Sequence, residues 1–121
     1  MATIEDVREI ARNLPRSYEV VVRGRVKFRV KQIVWLAFSR DETQMGFAFP
    51  KEEREALVQT YPETFRMPRE SDLRFNWVVA HLERLEDPEL TGLVLDAWRF
   101  CVPKFLASRS DEELLGGYAL R

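Results

Sequence analysis

Arg25-Val26-Lys27-Phe28-Arg29-Val30-Lys31-Gln32-Ile33-Val34-Trp35-Leu36-Ala37-Phe38 decides the fold class of this 121-residue chain. In the first half, cations alternate with apolar residues. That is the spacing of a strand with one buried face, because successive side chains of an extended chain point to opposite sides. The second half, Ile33 to Phe38, is an unbroken apolar run. Such a run suits a central strand buried on both faces, or a strand whose exposed face is apolar. The connection between the halves leaves the register open. A two-residue turn at Lys31-Gln32 aligns Val26, Phe28 and Val30 with Ala37, Trp35 and Ile33 and leaves the cations beside Val34, Leu36 and Phe38. A three-residue turn sets the cations beside Trp35 and Ala37 instead, since one residue of slip swaps the faces of a strand. Only the second register makes Trp35 a platform on which bases could stack.

Outward from this stretch, Arg40 to Thr43 reads as a turn and Gln44 to Phe49 as a strand, so Tyr18 to Phe49 forms an antiparallel meander. Upstream, Thr3 caps a helix running to Leu14, with Asp6 three residues on and Ile4, Val7, Ile10, Ala11 and Leu14 on one face. Downstream, Pro50 opens a helix that Pro62 stops, and Glu63 to Leu73 is the longest loop. Phe75, Trp77, Val78 and Val79 favour a strand within Arg74 to Leu85. Asp87 caps and Pro88 starts a long helix whose stripe is Leu90, Leu93, Val94, Ala97, Trp98, Cys101, Val102, Phe105 and Leu106. Trp98 and Cys101 are expected in its core contact, and Pro103 should kink the helix or end its regular part. Ser110 with Glu113 offers a capping box before a tail that Gly116 and Gly117 terminate.

The order helix, three or four strands, helix, strand, long helix specifies an α+β domain of two layers, with helices packed on one face of an antiparallel sheet. Residues 1–108 form this single domain, and 109–121 a C-terminal extension, a short helix or tail. Hydrophobic residues at 45% and charged residues at 32% suit a core that needs neither metal nor disulfide. A lone Cys101 excludes an intramolecular disulfide and points to a reducing compartment. Charges within the first 14 residues argue against a signal peptide, and no uncharged apolar run is long enough for a membrane span. A cytoplasmic location is therefore expected.

The residues that carry chemistry are few. Glycine-rich nucleotide loops, HExxH, paired CxxC and GxSxG motifs are all absent. His81 is the single histidine, so a zinc site would have to recruit Cys101 and carboxylates, an unusual set. A Cys101–His81 nucleophile and base pair conflicts with the place of Cys101 on an apolar helical stripe. Glu52, Glu53 and Glu55, like Asp111, Glu112 and Glu113, lie where helix first turns favour acids for dipole reasons alone. No catalytic residue, metal or cofactor is expected, and the chain reads as a binding module rather than an enzyme.

Charge is distributed unevenly. Residues 16–31 sum to +5 while the whole chain is −1. Arg25, Lys27, Arg29 and Lys31 at alternate positions would stand in a row at roughly 6.5 to 7 Å spacing on one sheet face. Such a row can follow a phosphate backbone, with weak, mainly electrostatic affinity for DNA and little sequence preference. It can equally be the solvated outer face of a strand. Trp35 and Trp77 are the candidate stacking or ligand contacts. The alternative is a protein-protein or small-ligand binding module, homodimeric in one form, with Trp77 and exposed apolar groups of the meander at the contact.

Several ordered segments resemble the MmcQ/YjbR family. They are Phe28-Arg29-Val30, Val34-Trp35-Leu36-Ala37, Gly46-Phe47 leading to Pro50-Lys51-Glu52-Glu53-Arg54, Tyr61-Pro62-Glu63-Thr64-Phe65, Trp77-Val78-Val79, and Asp96-Ala97-Trp98-Arg99 with Val102-Pro103-Lys104. The likeness spans Thr3 to Ala107. It implies a frataxin/CyaY-like fold and DNA binding. Where the family commonly has a Gly-Gly hairpin, this chain has Lys31-Gln32. Kinship with frataxin would also imply iron on an acidic ridge near the first helix, but here Arg8 and Arg12 interrupt Glu5, Asp6 and Glu9.

Overall fold

The computed structural model describes residues 1–119, with side chains through residue 116. The meander contains four strands: β1 Ser17–Val22, β2 Arg25–Val30, β3 Ile33–Phe38 and β4 Gln44–Ala48. Two further strands, β5 Phe65–Arg66 and β6 Trp77–His81, complete a sheet of order β1-β2-β3-β4-β6-β5. Every neighbouring pair is antiparallel. The helices are α1 Ile4–Ala11, α2 Lys51–Thr60, α3 Glu89–Cys101, α4 Lys104–Ala107 and α5 Asp111–Ala119.

The turns explain the meander's tightness. Arg23 and Gly24 both have positive φ between the paired Val22 and Arg25, the mirror-image turn whose twist matches that of a hairpin. Lys31 also has positive φ, in a two-residue connection that pairs Val30 with Ile33. Neither simple register expected from the sequence holds over the whole hairpin. Arg29 pairs with Val34, but Phe28 pairs with Leu36, so Trp35 is the extra residue of a β-bulge. Beyond the bulge Lys27 lies opposite Ala37.

That bulge sorts the side chains into two faces. Phe28, Leu36, Phe47 and Val78 are successive cross-strand partners from β2 to β6, and all four are fully buried. Burying each such side chain is worth roughly 1.5–3 kcal/mol against leaving it in water. The next set of partners, Lys27, Ala37, Gly46, Val79 and Arg66, lies on the opposite face. Among the described residues the helices pack on the first face, and the end of α3, at Phe100 and Cys101, reaches the rim of the second. α1 packs on α3, and α3 packs on β3 and β4. α1 opens with the expected capping box, Thr3 N–H donating to Asp6 Oδ2 at 2.9 Å and Asp6 N–H to Thr3 Oγ1 at 3.4 Å. Trp98 is fully buried, and its Nε1–H donates to the Pro15 carbonyl at 2.9 Å, tying α3 to the end of the first helical segment.

This packing bears out some expectations, such as Pro103 ending the regular part of the long helix, and corrects others. The long helix ends at Cys101; Val102 is extended, and Pro103 opens the separate α4, because proline cannot continue the α3 hydrogen-bond ladder. Phe105 therefore leaves the apolar stripe, is 62% exposed, and lies 5.4 Å beneath the Arg16 guanidinium. Cys101 is half-buried rather than a core residue. Asp87 does not cap the α3 backbone; its carboxylate accepts from the Thr91 hydroxyl at 2.8 Å. The segment read as one long loop holds β5 and a 3-10 turn, Glu70–Asp72. In 109–121, the Ser110–Glu113 capping box is present, Asp111 pairs with Arg99 at 2.6 Å, and Leu114 joins the core.

Candidate functional site

The face of the sheet that the helices leave uncovered holds a cavity of about 450 Å3. Its floor comes from alternate strand positions: Arg25 and Lys27 on β2, Ala37 on β3, Ala48 on β4 and Trp77 on β6. One wall is the segment carrying Arg69, Asp72 and Phe75; the other is the end of α3 with Phe100 and Cys101. A smaller adjoining cavity shares Arg25, Ala37, Arg69, Asp72 and Trp77 and extends toward Arg66 and Gln44.

Small residues on the strands make this depression. At Gly46 a Cβ would stand 2.5 Å from Trp77 Nε1, so only glycine lets the indole lie across β4. Trp77 is itself held by its neighbours. Arg54 of α2 is a buried charge whose Nη1 donates to the carbonyls of Phe75 at 2.8 Å and Trp77 at 3.1 Å. Its Nη2 donates to the Leu73 carbonyl at 2.5 Å. One guanidinium thus fixes, through its two Nη groups, the backbone that delivers the wall and the indole, while its Nε is buried without a partner.

The electrostatics of the cavity are one-sided. Among the described residues no carboxylate pairs with Arg23, Arg25, Lys27 or Arg29, and Asp72 is engaged by Arg69 at 3.1 Å. The Lys27 ammonium is held below the ordinary lysine range, first by partial burial and then by the charges of Arg25, Arg29, Arg69 and Arg23. Two of these guanidinium groups are fixed through one nitrogen each. Arg25 Nε–H donates to the Phe38 carbonyl at 3.0 Å, and Arg69 Nε–H to Asp72 Oδ2 at 3.1 Å. Among the described residues their Nη groups make no hydrogen bond, and both side chains line the cavity.

The structure brings together Arg25, Lys27 and Trp77 of the residues singled out from the sequence. Arg29 shares their face but does not line the cavity, and its Nε is buried without a partner. Lys31 departs from the row because it occupies the hairpin turn, where its carbonyl accepts from the Tyr18 hydroxyl. Trp35 is not available as a stacking or ligand contact: the bulge turns it to the helix-covered face, fully buried, its ring centroid 6.1 Å from that of Phe28. Arg69 is the member that strand periodicity could not supply, since it lies outside any regular element. Its only local signal was Arg69-Glu70-Ser71-Asp72, a spacing that closes an ion pair across one turn.

The remaining candidates lie elsewhere. His81 and Cys101 line separate cavities. Burial pushes the Cys101 thiol above its ordinary value. Among the described residues no group of three or more His, Cys, Asp or Glu side chains is placed to hold a metal ion. Of the acidic ridge, Glu5 pairs with Arg8 and Asp6 is used in the capping box. No described helix is long and apolar enough to cross a membrane.

Comparison with known proteins agrees with this architecture. No curated protein matches the sequence. The chain is similar in structure to Deinococcus radiodurans protein DR2400, which carries a DUF419 domain. The TM-score is 0.73 at 19% identity, over 94% of this chain and 88% of that one, a likeness of fold. The YjbR family model matches residues 12–100, from the end of the first helical segment through the sheet to the end of α3, and the chain belongs to the YjbR family.

Proposed function

We propose that the protein is a binding module whose open sheet face takes single-stranded nucleic acid, chiefly through charge. The observation that carries this reading is the convergence of Arg25, Lys27 and Arg69 with Trp77 and Phe75 on one depression where, among the described residues, Asp72, paired with Arg69, is the one carboxylate in the lining. A sheet face carrying cations beside aromatic rings suits a flexible strand, whose phosphates meet the cations while its unstacked bases meet the rings. A duplex is a poorer fit. Its phosphates lie on a wide, stiff cylinder with the bases turned inward, and Arg25 and Lys27 sit within a concavity rather than in an exposed row.

The test is a fluorescence-anisotropy titration of a labelled single strand and its duplex at two salt concentrations. For three phosphate contacts to a single strand the log–log salt slope should be about −2. Changing Arg25 and Lys27 together to Glu should remove binding while leaving the fold intact, because Val26 and Phe28 keep the opposite face. Tighter binding of the duplex, or a double variant that binds as well as the wild type, would overturn the reading.

A further inference from the structure

We infer that the cavity between Arg25, Lys27 and Arg69 is a receptor for a terminal phosphate, a phosphomonoester end of the strand rather than a phosphodiester within it. This rests on the single-strand reading above and specifies which part of the strand the cavity takes. Shape is the first argument. The floor is formed by four strands, and walls rise from the Arg69–Phe75 segment and from the end of α3 at Phe100 and Cys101. The walled depression admits a chain end, and charge selects that end over a phosphate within the chain.

Charge is the second argument. A phosphodiester carries a single negative charge, but a phosphomonoester carries about −1.5 to −2 near neutral pH and offers three acceptor oxygens. The cavity presents three cationic side chains, with Arg23 and Arg29 close enough to act on Lys27 as well. Asp72 lines the cavity as well, so the three cations and this carboxylate leave a formal +2, which a dianion balances and a single phosphodiester does not. Preorganisation is the third. Arg25 is restrained by its half-buried Nε–H bond to the Phe38 carbonyl, so its Nη groups lose little freedom on binding, while Arg69 is steered by its exposed pair with Asp72. Trp77 and Phe75 line the same cavity, next to the place the terminal nucleotide would occupy.

The experiment compares one oligonucleotide sequence in 5′-hydroxyl, 5′-phosphate and 3′-phosphate forms, with inorganic phosphate as competitor, on the full chain. One phosphorylated end is expected to bind at least about tenfold more tightly than the hydroxyl form. That advantage should vanish in Arg69→Met and in Lys27→Met, with thermal unfolding used to confirm that each variant is folded. Equal affinity of all three strands would overturn the terminal-phosphate inference and leave the single-strand reading standing. Binding of inorganic phosphate in the cavity, with no strand bound in any form, would overturn both. Failure of every probe would overturn both. If a variant fails to fold, lysine protection settles the assignment: the phosphorylated strand should slow acylation of Lys27 in the wild type, read by peptide mass spectrometry, and no protection would count against the site.

Discussion

One residue separates the two faces of this sheet. Phe28, Leu36, Phe47 and Val78 make a dry rung beneath the helices, while their chain neighbours Lys27, Ala37, Gly46 and Val79 make a rung that none of the described helices covers. The first rung is large and apolar and fills its space. The second contains a glycine, an alanine and a lysine, and so leaves a cavity floored by small side chains and rimmed by cations. The same strands thus carry stability on one parity and recognition on the other, and the contrast can be broken by mutation.

The largest effect should come from the covered rung. Phe47→Ala removes a fully buried ring and should cost about 3–5 kcal/mol by denaturant unfolding, whereas Val79→Ala, only half-buried on the other face, should cost on the order of 1 kcal/mol. Equal losses at the two sites would mean that the faces do not differ as described.

The sheet's two-sidedness was legible in Arg25 to Val30, because strict alternation assigns a face to every residue once the strand is known. Trp35 was not. Its place depends on a bulge, which inserts a residue without any change of local composition and shifts everything after it to the other parity. Nor could alternation locate Lys31, which a left-handed turn removes from the row, or Arg69, which reaches the cavity by tertiary folding of an irregular segment. Pro103 was readable as an interruption of α3, but whether the chain bends or begins a new helix is decided by what surrounds it. β5 was missed because two residues are too short for any period to show.

Arg54 connects the faces, since it is buried under α2 yet holds the backbone that carries Phe75 and Trp77. Arg54→Met should lose about 1–3 kcal/mol by leaving buried carbonyls without donors. The same change should also increase hydrogen exchange across Leu73 to Trp77. A stability loss with unchanged exchange there would separate the core from the site and sharpen the contrast between them.

Gly46→Ala tests the open face itself. The added Cβ would overlap the Trp77 indole, so the ring must move, at a cost of about 1 kcal/mol if it swings toward the cavity. In a Trp77→Phe background the same substitution should cost less, and a double-mutant cycle measures the difference. An additive cycle would show that the indole does not lie over the glycine.

The smallest effect has an unusual sign. Lys27 titrates below its unfolded value because burial and neighbouring arginines disfavour its charge. Between its folded and unfolded values, the unfolded chain binds more protons, so stability should rise with pH through that window. Below the window the buried charge is a net cost, and Lys27→Met should therefore raise stability at neutral pH, by on the order of 0.5 kcal/mol at a site only partly shielded from solvent. The gap between wild type and variant should then close as pH climbs toward 10.5, the ordinary lysine value, with unfolding midpoints measured at a series of pH values. A removal that destabilises the protein at neutral pH would mean that Lys27 has a compensating partner, and that the open face is not held ready for an anion.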